Sequence, residues 1–174
     1  MVPTGQLWLI GVRLLLDVDG VLNAVGSRCP DWQEWNAAKR RASLINYSLE
    51  VGRAIAELDV DVVWLTTWRQ EANEWIGPLF GWPEHAVIAV NDEEMLSWRS
   101  WWKFDAAKRL YAEEPQPFIW ADDDLGASVD AYEWCKEVDG LPIVPRGPHR
   151  PDSSPPRGDA GVRGKEVAEV SVAL

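Results

Sequence analysis

The chain has 174 residues, 47% hydrophobic and 26% charged, which is enough apolar material for a sizeable core and argues against a disordered, collagenous or disulfide-stapled protein. Lys and Arg number 17 against 28 Asp and Glu, a formal net charge of −11. That balance excludes binding nucleic acid by bulk positive charge and leaves any polyanionic partner to a local basic group or a metal. The unusual count is 12 Trp.

In chain order, the start MVPTGQLWLIGVRLLL has no basic leader and is broken by Arg13, so residues 1–11 are expected to extend a single domain spanning 1–174. No stretch approaches the ~20 apolar residues of a membrane span, so a cytoplasmic protein with no membrane partner is expected. Strands are predicted at Val12–Leu16, Val60–Leu65, Ala86–Val90, Phe118–Ala121 and Leu141–Val144. Helices are predicted at Leu44–Leu58, at Glu71–Phe80, in one or two pieces over Asp92–Glu114, and at Ala127–Glu137 and Val162–Ala173. Residues 23–42, with Cys29, Trp32 and Trp35, are expected to be an irregular loop over one edge of the fold. Six of the 12 prolines fall between Pro142 and Pro156, which makes 145–160 a loop before a last helix at 161–173. Cys29 and Cys135 are too few and too far apart to form a disulfide framework and are expected to be reduced. Five β-α repeats give an α/β fold: a Rossmann-like, mainly parallel five-stranded sheet with helices on both faces.

In such a sheet, the residues just past the carboxyl ends of the strands converge on one edge, where ligands bind. The first predicted strand ends in Asp17-Val-Asp19-Gly20, the second in Thr66-Thr67-Trp68-Arg69, and the fourth in Asp122-Asp123-Asp124. Carboxylates gathered from two strands repel one another unless a cation sits among them, and an all-oxygen set suits Mg²⁺. Helix capping is the plain structural alternative for Asp122–Asp124. His85 and His149 have no ligand partner at metal spacing and are expected to be structural or exposed.

DVDGVLN after an apolar strand resembles the first motif of the haloacid dehalogenase (HAD) superfamily of phosphatases. Thr66 resembles its second motif, Lys103 at a helix start its third, and WADDD its acidic fourth, in the family's order. The wording and spacing are most similar to a compact HAD group that includes the phosphatase-like domain of multidomain RNA-repair proteins. The resemblance implies that Asp17 is the nucleophile, forming an aspartyl-phosphate, and that Asp19 is the general acid and base. It implies that Thr66 and Lys103 bind phosphate oxygens, with Thr67 and Lys108 as their rivals. Mg²⁺ would be held by the Asp17 carboxylate, the Asp19 carbonyl and a carboxylate of Asp122 or Asp123.

The intervals between motifs hold no separate cap domain, so the active edge should be open to a large substrate. Trp64 and Trp120 lie inside strands and are expected to be core, and Trp98, Trp101 and Trp102 to form a helix face packed on the sheet. Trp32, Trp35, Trp68 and Arg69 are the candidate substrate contacts, as aromatic platforms or charge beside the phosphate, and Lys39-Arg40-Arg41 is a candidate for a backbone phosphate. The expected function is a Mg²⁺-dependent phosphomonoesterase, with a nucleotide or polynucleotide terminal phosphate ranked above sugar phosphates. The alternatives are a non-catalytic HAD-like interaction domain and a receiver-like phosphoacceptor domain.

Overall fold

A computed structural model describes residues 11–25, 30–36, 44–96 and 100–145. The 145–160 loop (apart from residue 145), the 161–173 helix, Cys29, Lys39–Arg41, Trp98 and His149 lie outside the described residues, as does most of the 1–11 extension.

The elements are β1 (Arg13–Leu16), β2 (Gln33–Asn36), β3 (Leu44–Tyr47), α1 (Leu49–Ala56), β4 (Asp61–Trp64), a π-helical turn (Ala72–Ile76) running into α2 (Gly77–Phe80), and β5 (Ala86–Val87). They continue with α3 (Asp92–Met95), α4 (Trp102–Glu113), β6 (Phe118–Ala121), a 3₁₀ turn (Asp123–Ala127), α5 (Val129–Glu137) and β7 (Gly140–Ile143). The main sheet is five-stranded, in the order β5-β4-β1-β6-β7, and every neighbouring pair is parallel.

The period-2 alternation of the strands builds two cores. Leu14, Leu16, Val62, Trp64 and Ala121 point to one face, where Val51 and Ile55 of α1 and Ala72 and Ile76 of the π turn cover them. Leu15, Val63, Phe118 and Trp120 point to the other, under Ala106 and Ala107 of α4 and Ala131 and Cys135 of α5. The order reverses at β1: the chain steps outward to β4 and β5, then returns to β6 and β7 on the other side. Crossovers between parallel strands are right-handed, so reversing direction moves the helices to the opposite face and opens a crevice between β1 and β6 at their carboxyl ends.

Four of the expected elements are corrected. The predicted helix Leu44–Leu58 starts with a strand: β3 pairs antiparallel with β2, and the helix begins at Leu49 behind Ser48, whose hydroxyl caps the Val51 N–H at 3.3 Å. β2 lies inside the predicted 23–42 loop. Four residues cannot show whether Leu44 and Ile45 follow a helical or an alternating period, and pairing with a segment further up the chain decides it. The segment Glu71–Phe80 opens as a π turn because Pro78 has no N–H to donate and its ring would meet the carbonyl one turn back. The third strand is two residues long, where five were expected. Asp92–Glu114 divides into two pieces, α3 and α4, as read.

Tryptophans secure the packing. Trp64 and Trp120 are fully buried, and Trp101 stacks on Trp120 with ring centroids 5.2 Å apart. The Trp64 indole N–H donates to Asn73 Oδ1 at 2.8 Å, and the rest of the Asn73 amide is spent on the His85 backbone. Cys135 is buried, and burial pushes its thiol up to about 12. Among the described residues, no helix is long and apolar enough to cross a membrane.

Candidate active site

Three segments meet at the reversal point. Asp17 follows β1, Thr66 follows β4 and Asp122 follows β6, and all three are buried although polar. Parallel pairing sets this convergence: Leu16 is in register with Trp64 on one side and Ala121 on the other, so the next residues leave the sheet at one level. Lys103, in the first turn of α4, is only 3% exposed and reaches in from the flank.

Its ammonium is the centre of the site. Lys103 Nζ lies 2.6 Å from Asp17 Oδ2, 2.8 Å from Asp122 Oδ2 and 4.0 Å from Asp124 Oδ2. Asp17 Oδ1 accepts the Val18 N–H at 2.8 Å, and the Thr66 hydroxyl bonds to the same carboxylate. Asp122 Oδ1 accepts the Asp124 N–H at 3.0 Å. Burial pushes the Asp17 carboxyl above the usual carboxylate range against the pull of Lys103. Burial also raises Asp122, to about 7, with Lys103 opposing and Asp17 adding to the rise. Burial disfavours the Lys103 ammonium, but Asp17 and Asp122 together outweigh it and hold its pKa above the ordinary value.

Carboxylate oxygens of Asp17, Asp122 and Asp123 lie within 4.8 Å of one another, an all-oxygen set from two strand ends that fits a hard divalent cation such as Mg²⁺. Gly20 makes room for it. Its φ of 75° favours glycine, and a Cβ there would fall 2.1 Å from Asp123 Cγ. The sequence left Asp122 and Asp123 as alternatives, and the structure brings both carboxylates to the cluster.

The remaining sequence candidates separate. Asp19 is half-buried beside the site, with Oδ2 accepting the Trp68 indole N–H at 3.0 Å and Oδ1 accepting Asn23 Nδ2 at 2.9 Å. Trp68 is therefore corrected: it is 4% exposed and packed in the core, so it offers a base no open ring face and instead holds Asp19. Trp32 and Trp35 are half-buried against the same core, and Trp35 stacks on Trp75 at 5.7 Å. Arg69, with a left-handed φ of 51°, turns its guanidinium to Asp92 and Met95. Lys108 is exposed, paired with Asp105 and lying over Phe104, so Lys103 alone of the two enters the site. His85 lies against Trp64 and Trp82, with its pKa lowered by burial. Asn23 was missed as a site residue, although its i+4 spacing from Asp19 across a glycine turn was visible.

A family model described as "HAD domain in Swiss Army Knife RNA repair proteins" matches residues 13–139, well over half of the chain. The chain belongs to this HAD family. No curated protein and no solved structure gives a significant match. The HAD match runs from β1 into the residues following α5 and takes in all four strand-end and helix-start segments of the site. Between β1 and β4 the described residues of this HAD domain hold the β2–β3 pair and α1, and between β4 and α4 single short elements.

Proposed function

We propose that this HAD domain is a phosphomonoesterase that transfers the phosphoryl group to Asp17 and then to water. The observation that carries the proposal is the Lys103 ammonium bridging two buried carboxylates at the reversal point of the sheet, with a third carboxylate alongside. Asp17 would attack phosphorus as the ester oxygen leaves and takes a proton from Asp19. Water would then attack the aspartyl-phosphate, giving its proton to Asp19 and releasing the Asp17 carboxylate with inorganic phosphate. Lys103 and Thr66 would hold the phosphate oxygens, the ammonium offsetting charge on the transferring group. Asp17, Asp122 and Asp123 would hold Mg²⁺, with the Asp19 carbonyl as the HAD resemblance implies. When bound, the ion supplies positive charge between carboxylates and phosphate.

A nucleotide or polynucleotide terminal phosphate is the substrate class this reading favours. The family's description places such domains in RNA repair proteins, and a net charge of −11 suits recognition of one terminal phosphate better than a long backbone. The test is phosphate release from nucleotides, oligonucleotides with 3′ or 5′ phosphates and small phosphoesters, with Mg²⁺ or with EDTA. Release in Mg²⁺ alone, lost in Asp17→Asn, is expected. Equal rates for wild type and Asp17→Asn would overturn the mechanism.

A further inference from the structure

The side chain of Asp19 is held at both oxygens by groups from two separate segments. The Trp68 indole N–H, from the turn after β4, donates to Oδ2 at 3.0 Å, and Asn23 Nδ2, from the turn after β1, donates to Oδ1 at 2.9 Å. Both donors are buried and fixed by other contacts. Trp68 packs in the core cluster with Leu16 and Val18, and its own backbone N–H is taken by Thr66 Oγ1 at 3.3 Å. Asn23 accepts the Asn46 N–H on Oδ1 at 3.0 Å, which determines that its amide nitrogen faces Asp19, and its carbonyl accepts the Gly20 N–H at 2.9 Å. An aspartate with a solvated neighbour on each side would sample several rotamers, whereas this one is restricted to a single placement.

We propose that Trp68 and Asn23 are positioning residues that set Asp19 for proton transfer, an inference that rests on the acid–base role given to Asp19 above. An indole N–H and a primary amide donate without taking a proton, so the clamp orients the carboxyl group and cannot consume its proton. Each Asp19 oxygen has two lone-pair directions, and the clamp uses one on each, leaving the others for the ester oxygen and then for water. Small misplacements of a proton donor are costly: about an ångström is worth up to about a hundredfold in rate.

The test uses two monoesters that differ in their need for an acid: benzyl phosphate, whose alkoxide must be protonated as it leaves, and dinitrophenyl phosphate, whose phenolate leaves unaided. In Trp68→Phe, which keeps the ring and loses the N–H, the ratio of kcat/KM for benzyl over dinitrophenyl ester is expected to fall about tenfold, with Asn23→Ala moving the same way and Asp19→Asn falling further. Loss of packing alone would lower both esters together and leave the ratio intact. An unchanged ratio in Trp68→Phe and Asn23→Ala beside a fallen ratio in Asp19→Asn overturns the positioning role. An unchanged ratio in Asp19→Asn overturns the acid–base assignment itself. A double-mutant cycle of Trp68→Phe with Asp19→Ala, which leaves no side-chain acceptor, reads the hydrogen bond on urea unfolding without turnover. Non-additive effects are expected, and strictly additive ones overturn the clamp.

Discussion

Lys103 Nζ and Asp17 Oδ2 are 2.6 Å apart with each side chain only 4% exposed, so the ion pair that closes the site is also a buried structural pair. Removing one partner of such a pair leaves the other charge uncompensated in a poorly solvated place, which costs about 3–5 kcal/mol. Lys103→Met is therefore expected to lower the stability of the metal-free protein by about that much, since Asp17 and Asp122 both lose their counter-charge. Added Mg²⁺ should recover a larger share of stability in the variant than in wild type. Urea unfolding in EDTA and in Mg²⁺ checks both statements, and an Mg²⁺ effect no larger in the variant would contradict the second.

The raised pKa of Asp122 predicts how stability and metal binding vary with pH. Burial lifts this carboxyl from 3.8 to about 7, so between these values the unfolded chain is ionised there while the folded, metal-free protein keeps its proton. The stability this proton contributes is complete below the unfolded pKa and is lost as the pH rises through the folded one. A divalent cation needs the carboxylate and displaces the proton, so the stabilisation by Mg²⁺ over EDTA should widen from pH 5 to pH 8. Thermal unfolding across that range measures it. A gap of constant size, or one that widens equally in Asp122→Asn, would rule this linkage out.

Gly20 and Gly81 provide a controlled comparison. Both have positive φ, 75° and 70°, but a Cβ at Gly81 meets nothing within 4 Å, whereas one at Gly20 strikes the Asp123 carboxylate. Alanine at either position should cost about 1–2 kcal/mol for the left-handed backbone. Only Gly20→Ala should also weaken Mg²⁺ binding, because Asp123 must move. Calorimetric titration of the two variants separates the effects, and equal Mg²⁺ affinity would show that Asp123 does not contribute to the cation site.

Asn73 is a structural residue away from the site. Its Oδ1 accepts both the Trp64 indole at 2.8 Å and the His85 backbone N–H at 2.9 Å, and its Nδ2 donates to the His85 carbonyl at 2.8 Å. Asn73→Ala leaves buried donors without an acceptor, at about 1–3 kcal/mol for each group left unpaired. A drop in unfolding free energy of at least about 2 kcal/mol is expected on that basis, with the Asp17–Lys103 site unaffected in Mg²⁺ titration. A loss under about 0.5 kcal/mol, the size of an ordinary surface change, would show that water replaces the amide.

The five main-sheet strands were legible because each coincides with a short apolar run, and the buried Arg13–Leu16 and Phe118–Ala121 were visible almost to the residue. Asp17, Thr66 and Asp122 were legible for a related reason: a polar residue directly after such a run has few places to go but the sheet edge. Lys103, at the start of α4, was legible only through the HAD resemblance. The β2–β3 pair was not, because Gln33–Asn36 has no apolar period of its own and becomes a strand only by pairing with Leu44–Tyr47.

By itself, then, the sequence determined the alternation of strands and helices and the acidic strand ends, since these follow from local hydrophobic period and chain order. Only the tertiary structure decided that Lys103 bridges Asp17 and Asp122, that Asp123 joins them in the space left by Gly20, and that Trp68 faces Asp19 rather than a ligand. Those relationships join residues as far apart in the chain as Asp17 and Asp123. They depend on strand register, on the direction of each crossover and on which side of a turn a ring is buried, and none of these is a property of neighbouring residues alone.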